Sequence, residues 1–282
     1  MKTIEKIGII GGTGQMGRMF QHCFSNIGKA VITSDETSIA SEQMLVENSE
    51  LVIISVPIDE TVNVIHRISP WLRSDHLLSD FTSVKCNAVP TMLETKAAVI
   101  SCHPMFGKMD DMSKQNLIVI PVREEDFLVA FCDLFEALNL NVVLIENWNK
   151  HDEAMSFIQG LMHFIHIVFT QTLKAKTADL ETILSICSPV YQANFAFTCR
   201  ILQRDPHLYT HILMDNPQNI SVLKNFVEIA QKSISLLQDK DQSSFKEKFI
   251  ESREYLGEFG QLFSSQSDYL IERIKEFSDK TK

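Results

Sequence analysis

The chain is short of positive charge: 26 lysines and arginines stand against 36 aspartates and glutamates, a net charge of −10 with histidine neutral. No basic stripe is left to neutralise a phosphate backbone, so a nucleic-acid surface is excluded. Long apolar runs are missing too. The stretch from Phe157 to Phe169 comes nearest, but it is short and interrupted by Gln159, Gly160, His163 and His166, which argues against a bilayer span. The six cysteines, Cys23, Cys86, Cys102, Cys132, Cys187 and Cys199, form no CxxC pair and no Cys/His ligand spacing, and Met1 is not followed by a basic-then-apolar leader. Reduced thiols in a cytoplasmic protein are expected, with small molecules as partners. Repeats, low-complexity tracts and linkers are also absent, and 282 residues exceed one average domain.

What the chain does hold is three motifs in order: Gly12-Thr13-Gly14-Gln15-Met16-Gly17, then Thr82-Ser83-Val84-Lys85, then Ser101-Cys102-His103-Pro104-Met105-Phe106-Gly107. A glycine triplet is weak by itself, so its surroundings decide. Here Ile7 to Ile10 reads as a short buried strand, and Gln15 to Asn26 as the helix after it, with Met16, Met19, Phe20 and Cys23 at helical spacing. Gly12 and Gly14 would permit a tight turn and close approach of a pyrophosphate, and Gly17 would let helix pack on strand. A second strand, Ala30 to Thr33, delivers Asp35. Its carboxylate suits the ribose hydroxyls and repels the extra phosphate of NADP, so NAD is the expected cofactor.

Up to residue 150, short β-rich runs alternate with helical stretches: Leu51 to Val56, Leu77 to Asp80, Val99 to Ser101, Leu117 to Ile120 and Val142 to Ile145 are the later strands. That alternation predicts an α/β fold with a doubly wound, mostly parallel sheet. The strand ending at Ser55-Val56-Pro57 would reach the cofactor, and Asp59 would cap the helix that follows. Beyond 150 the strand signal disappears. Phe157, Leu161, Phe164 and Val168 form a helical stripe, and Val222 to Leu237 and Phe245 to Ile274 read as helices, so residues 151–282 are expected to be an all-helical domain.

On the residues alone, His103 reads as a neutral imidazole placed to accept a proton or as a loop histidine capping a turn before Pro104. Ser83, Lys85 and Arg200 taken singly read as solvated side chains. His151, Asp152 and Glu153 are helical neighbours whose side chains diverge, so no metal is expected.

Six segments together resemble the prephenate dehydrogenase family over nearly the whole chain: residues 11–18 (GGTGQMGR), 55–58 (SVPI), 83–85 (SVK), 103–107 (HPMFG), 151–159 (HDEAMSFIQ) and 188–191 (SPVY). The nearest branch is the bacterial one often fused to an N-terminal chorismate mutase; with a first strand so close to Met1, no mutase domain is expected. The resemblance implies a Rossmann-type NAD-binding domain at residues 1–150 and a helical substrate and dimerisation domain at 151–282. It implies oxidative decarboxylation of prephenate to 4-hydroxyphenylpyruvate in tyrosine biosynthesis: hydride leaves ring C4 for NAD as CO2 leaves C1.

By the same resemblance His103 is the catalytic hydrogen-bond acceptor, Ser83 orients the hydroxyl and the nicotinamide, and Lys85 lies near the substrate. Arg200 would bind a substrate carboxylate across an interdomain cleft, for which a planar guanidinium is suited. His151 falls at the domain junction, and His163, twelve residues on and about a third of a helical turn out of phase, would meet the substrate or tyrosine as feedback inhibitor. One position departs from the pattern: Gln192 stands where an arginine is expected, and Arg204, a helical turn beyond Arg200, would supply the missing charge.

That departure keeps arogenate and 4-amino-4-deoxyprephenate open as substrates. A catalytically silent NAD-binding regulatory protein is the reading from another class, against which the presence of His103 and Ser83 counts. A 6-phosphogluconate or β-hydroxyacid type dehydrogenase would need a catalytic lysine in a Gly/Asn-rich helix start, and the sequence around Lys174 and Lys176 lacks that context. Finally, Phe249, Tyr255, Phe259, Phe263, Tyr269 and Ile274 give the last stretch more apolar surface than one domain needs, so a homodimer is expected.

Overall fold

A computed structural model of the chain describes residues 2–34, 39–124 and 126–280. Seven strands make one sheet: β1 (Lys6–Ile10), β2 (Ala30–Ser34), β3 (Leu51–Ile54), β4 (Leu77–Asp80), β5 (Ala98–Pro104), β6 (Asn116–Arg123) and β7 (Asn141–Leu144), in the order β2-β1-β3-β4-β5-β6-β7. The first five run parallel. β6 is antiparallel to β5, and β7 parallel to β6. The reversal follows from the connection after β5: residues 105–115 contain no helix, whereas a parallel crossover needs a dozen or more residues and usually one helix.

Helices α1 (Gln15–Asn26), α2 (Ile39–Glu47), α3 (Ile58–Ile68), α4 (Ala88–Leu93) and α5 (Leu128–Glu136) connect these strands. Because successive strand residues point to opposite faces, each central strand feeds two cores. Ile7, Ile9, Leu51, Ile53, Leu77 and Ile100 pack on one face with Phe20 and Phe24 of α1 and Phe131 and Phe135 of α5. Ile10, Val52, Ile54, Leu78 and Val99 pack on the other with Leu45 of α2, Ile65 of α3 and Met92 of α4. Burial on both sides explains why the runs Leu51-Val52-Ile53-Ile54 and Ala98 to Ile100 are apolar without alternation.

The later part of the chain contains α6 (Trp148–Met155), a π-helical turn at Ser156–Leu161, α7 (Met162–Ala175), α8 (Leu180–Ile186), α9 (Pro189–Leu202), α10 (Pro206–Asp215), α11 (Gln218–Gln238) and α12 (Gln242–Lys280). Their starts are written in side chains. The Asn147 amide oxygen accepts from Lys150 N–H ahead of α6, the Asp179 carboxylate from Thr182 N–H ahead of α8, and the Ser188 hydroxyl from Tyr191 N–H ahead of α9, whose first turn holds Pro189. The π-turn breaks the expected stripe: Phe157 and Val168 are exposed. Gly160 within it lies so near α11 that a Cβ there would meet Asn219 Oδ1 at 2.2 Å. α12 bends at Gly257, whose φ of 51° and ψ of −133° are not helical. Among the described residues no helix is long and apolar enough to cross a membrane.

The chain separates into two compact units, Met1–Ser156 with Thr210–Gln218, and Phe157–Tyr209 with Asn219–Lys282. The break lies past the expected 150, and part of α10 with the residues after it returns to the first unit. Two hydrogen bonds show why: Asn216 Nδ2 donates to Asp152 O at 2.8 Å, and Cys86 Sγ to Asp215 O at 3.4 Å. Inside the second unit, α9 packs against α7 and α12.

Candidate active site

The turn after β1 is shaped by glycine, though not where the triplet alone would place the strain. The left-handed residue is Gly11, at φ +88°, one position before the motif. A Cβ on Gly11 would meet Ser55 O at 2.3 Å, and one on Gly17 would meet Gly11 O at 2.2 Å, so any larger residue fills the turn. α1 begins after Gly14 with no side-chain cap and no acid in its first turn. Its leading N–H groups and the positive end of its dipole therefore suit an anion. Thr13, Gly14 and Gln15 are exposed at this turn, Gly12 is buried against Thr33, and the Met16 side chain turns inward onto the core.

β1 and β3 are neighbours, but the chain leaves β1 toward β2 and leaves β3 toward β4. Such a switch point opens a crevice at the carboxyl ends of the strands, where open α/β sheets bind ligands. Ser55, Val56 and Pro57 follow β3 there, and Ser55 N–H donates to Ile10 O at 2.8 Å, holding the two loops together. Pro57, not Asp59, precedes the first residue of α3, and no side chain caps that helix; Asp59 lies in its first turn and faces His211 Nε2 at 3.8 Å. Asp35 lies outside the described residues. The glycine turn, the uncapped helix start and the switch point fit the pyrophosphate of a dinucleotide.

Two strands along, β4 and β5 carry a buried polar network. Asp80 closes β4 with no exposed surface and binds Lys85 Nζ at 2.6 Å, Ser101 Oγ at 2.6 Å, Thr82 N–H at 3.0 Å and the Thr82 hydroxyl. Lys85 Nζ also donates to Cys102 O at 2.7 Å. Taken singly Lys85 reads as a solvated side chain, but its ammonium is fully buried against Asp80. It ties down the loop in which Ser83 stays half-exposed between buried Thr82 and Val84.

His103, near the end of β5, is 3% exposed. Its Nδ1 lies 3.0 Å from His151 Nε2, with the rings 63° apart, and His151 Nδ1 lies 2.8 Å from Asp152 Oδ1. Asp152 also accepts from Lys85 N–H at 3.1 Å and Cys86 N–H at 2.9 Å. Burial holds the His103 pKa well below 6.5, with His151 and the Lys85 ammonium pushing the same way. His151 is lowered by burial too, against the raising effect of its hydrogen bond to Asp152. Both rings are neutral at pH 7, and a neutral imidazole accepts a proton where an imidazolium cannot.

The other candidates lie in the second unit. The His163 ring stacks edge-on against Tyr209 at 4.7 Å, and burial, with His166 nearby, lowers its pKa to about 4. Its Nδ1 is buried without a hydrogen-bond partner. Burial raises the Tyr209 phenol, and the charges of Arg204 and Arg200 pull it back, which sets both guanidiniums near that ring. Both arginines are exposed, as is Gln192 on α9. His166 Nδ1 lies 2.9 Å from Thr198 Oγ1, within hydrogen-bond distance.

Sequence reasoning passed over Tyr209, Asp80, Ser101 and the structural part of Asp152. A charged residue ending the apolar run Leu77-Leu78-Ser79-Asp80 was the one available signal. It also passed over His207 and His211, four residues apart on α10; His211 Nδ1 binds Asp215 at 2.8 Å.

The family model of the prephenate dehydrogenase nucleotide-binding domain matches residues 16–119, and that of the prephenate dehydrogenase dimerization domain matches residues 147–251. The T-protein of Haemophilus influenzae is 30% identical over 277 residues, 97% of this chain and 73% of its own. Among solved structures, prephenate dehydrogenase from A. aeolicus in complex with hydroxyphenyl propionate and NAD+ superposes with a TM-score of 0.72 at 17% identity, covering 92% of this chain and 99% of that one. Synechocystis arogenate dehydrogenase superposes with a TM-score of 0.70 at 16% identity, covering 90% and 99%. With both domain models falling in order along one chain and the T-protein match spanning nearly all of it, the chain belongs to the prephenate dehydrogenase family.

Proposed function

We propose that this chain is an NAD-dependent dehydrogenase that converts prephenate to 4-hydroxyphenylpyruvate with loss of CO2. The observation that carries the reading is His103: a buried imidazole kept neutral at the carboxyl end of a central strand, in the sheet whose first turn is a glycine cradle. The family match supplies the reaction class, and the bound NAD+ and hydroxyphenyl propionate of the A. aeolicus enzyme support the cofactor and the ring.

When bound, the nicotinamide accepts the hydride that leaves ring C4. The protein's part is to place the substrate and to manage one proton. His103 accepts a hydrogen bond from the C4 hydroxyl, takes up its proton as the oxygen becomes carbonyl-like, and returns it as the ring aromatises to a phenol. Ser83 orients the same hydroxyl from the loop that Lys85 anchors, a positioning part for Lys85 in place of substrate contact. His151 acts through His103, and Arg200, Arg204 and His163 bind the substrate's carboxylates. The pyrophosphate is held at Gly12 to Gly17 and beside Ser55 to Pro57, with Asp35 on the ribose. Two copies of the chain pair through the helical part, in line with the dimerization-domain match.

Gln192 favours a second reading, in which the substrate is arogenate or 4-amino-4-deoxyprephenate and one positive charge fewer is needed. NADH formation by the purified protein decides among them, with NAD or NADP and each of the three substrates. Prephenate turnover with NAD is expected, and His103→Asn should lower kcat about 10²- to 10⁴-fold while KM stays nearly unchanged. Turnover with an amino substrate alone would transfer the assignment to that substrate. No turnover with any of the three would leave the catalytically silent NAD-binding protein.

A further inference from the structure

Two backbone N–H groups, those of Lys85 and Cys86, point at the Asp152 carboxylate, and a backbone N–H can only donate. Asp152 is thus an acceptor on every side, and the proton in its contact with His151 Nδ1 belongs to the histidine. A neutral imidazole carries one N–H. With it on Nδ1, His151 Nε2 is a bare lone pair, and the 3.0 Å contact to His103 is closed by an N–H on His103 Nδ1. The same count then leaves His103 Nε2 bare. Among the described residues no hydrogen bond reaches that nitrogen.

We propose that Asp152 is a positioning residue which, acting through His151, holds His103 in the one tautomer whose Nε2 can accept the substrate hydroxyl's proton. The inference rests on the function proposed above for His103. The carboxylate neither touches substrate nor gains a proton: when His103 Nε2 takes the hydroxyl proton, the imidazolium keeps Nδ1–H on His151, and the proton returns to the phenol oxygen. Asp152 serves the other side of the reaction as well. By accepting from the N–H groups of Lys85 and Cys86 it pins the end of the Ser83 loop, and its own carbonyl is held by Asn216. One side chain therefore sets both groups that face the hydroxyl. The charged groups bearing on the histidine pair are Lys85 and Asp80, from β4 and the loop after it, and Asp152 from α6.

The test compares wild type, Asp152→Asn and His151→Phe by nitrogen-15 histidine NMR and by kinetics from mildly acidic to alkaline pH. In the wild type both rings should show Nδ1–H tautomers. In Asp152→Asn the amide N–H can donate to His151 Nδ1, reversing the chain of donors, so both rings should appear as Nε2–H. With the acceptor removed, kcat should fall about 10²-fold or more while KM changes little, as expected for loss of a proton acceptor. The acid limb of kcat should also move to lower pH, because the carboxylate that raises the His151 pKa is gone. A loss of folded protein alone would lower kcat with its pH profile intact.

His151→Phe keeps the ring volume and Asp152's hold on the loop, so it answers for Asp152→Asn if that variant does not fold. It should lose kcat as well, and the double variant should be no worse than the poorer single one. An Nε2–H tautomer for His103 in the wild type, or a kcat within about threefold of wild type in the folded variants, would overturn the proposal. If the wild type turns over none of the substrates, the function fails while the NMR still decides the tautomers, so the two failures read differently.

Discussion

The two units of this chain are stabilised in opposite ways. In the first, Phe20, Phe24, Phe131 and Phe135 are fully enclosed, and the apolar residues of β1, β3, β4 and β5 are buried on both faces of the sheet. In the second, no described hydrophobic side chain is buried, while Tyr255 is 91% exposed and Phe259 70%. A fold draws its stability chiefly from apolar area removed from water. The first unit removes that area by itself; the helices of the second leave it on the surface, and the proposed dimer is what covers it. Chemistry divides along the same line: the buried polar network around His103 exists because the first unit has an interior in which to build one.

The sharpest way to break the first unit is from within. Lys85→Met keeps the side chain's length but leaves Asp80 charged and unpaired in a site with no solvent. Removing one partner of a buried ion pair costs about 3–5 kcal/mol, a large part of a domain's stability. Urea unfolding should show that loss in the first unit's transition, and activity should drop with it as the Ser83 loop loosens. A cost below about 1 kcal/mol would mean that Asp80 finds water or a proton and that the network does not need its lysine.

The second unit should break from outside. Phe259→Glu combined with Phe263→Glu places two charges on the exposed aromatic face of α12. Burying a phenylalanine is worth about 1.5–3 kcal/mol, so the pair of changes should weaken self-association by at least about 10²-fold. Sedimentation velocity should then show monomer in place of the proposed dimer. The helical unit should also unfold at a lower temperature that rises with protein concentration, while the first unit's transition stays put. A variant that remains dimeric would assign the covering surface to another helix.

How much of this could be read from the sequence follows the same contrast. The parallel strands were legible because burial on both faces forces unbroken apolar runs, and the later helices because their apolar residues recur at helical spacing. The direction of β6 was not read, although the helix-free residues 105–115 carried it. Gly11 escaped because a glycine motif counts spacing, while the positive φ sits one residue before the first counted position. The partners of Lys85 and Asp152 were hidden for a deeper reason. A lysine in a polar loop looks solvated, and Asp152 beside His151 and Glu153 looks like one of a diverging row, until the fold brings Cys86 N–H across 66 positions to the carboxylate. The π-turn and the return of Thr210–Gln218 to the first unit are likewise tertiary outcomes that no local pattern encodes.

The smallest effect should come from the one histidine of the second unit whose titration is strongly moved. His163 has its pKa lowered from 6.5 to about 4, burial being the main cause and His166 the next. The unfolded chain therefore binds a proton near pH 6.5 that the folded chain refuses until about pH 4. Stability contributed by the neutral ring is complete above pH 6.5 and is lost as pH falls from there toward 4. Melting temperature followed across that window should fall for the wild type and fall less steeply for His163→Gln, which has no proton to take up. The ring is partly exposed and packs on Tyr209, so the difference should be a few degrees at most. Equal slopes for the two proteins would show that the acid sensitivity of the helical unit resides elsewhere, and would remove His163 from the account of that unit's stability while leaving its proposed contact with substrate to the kinetics.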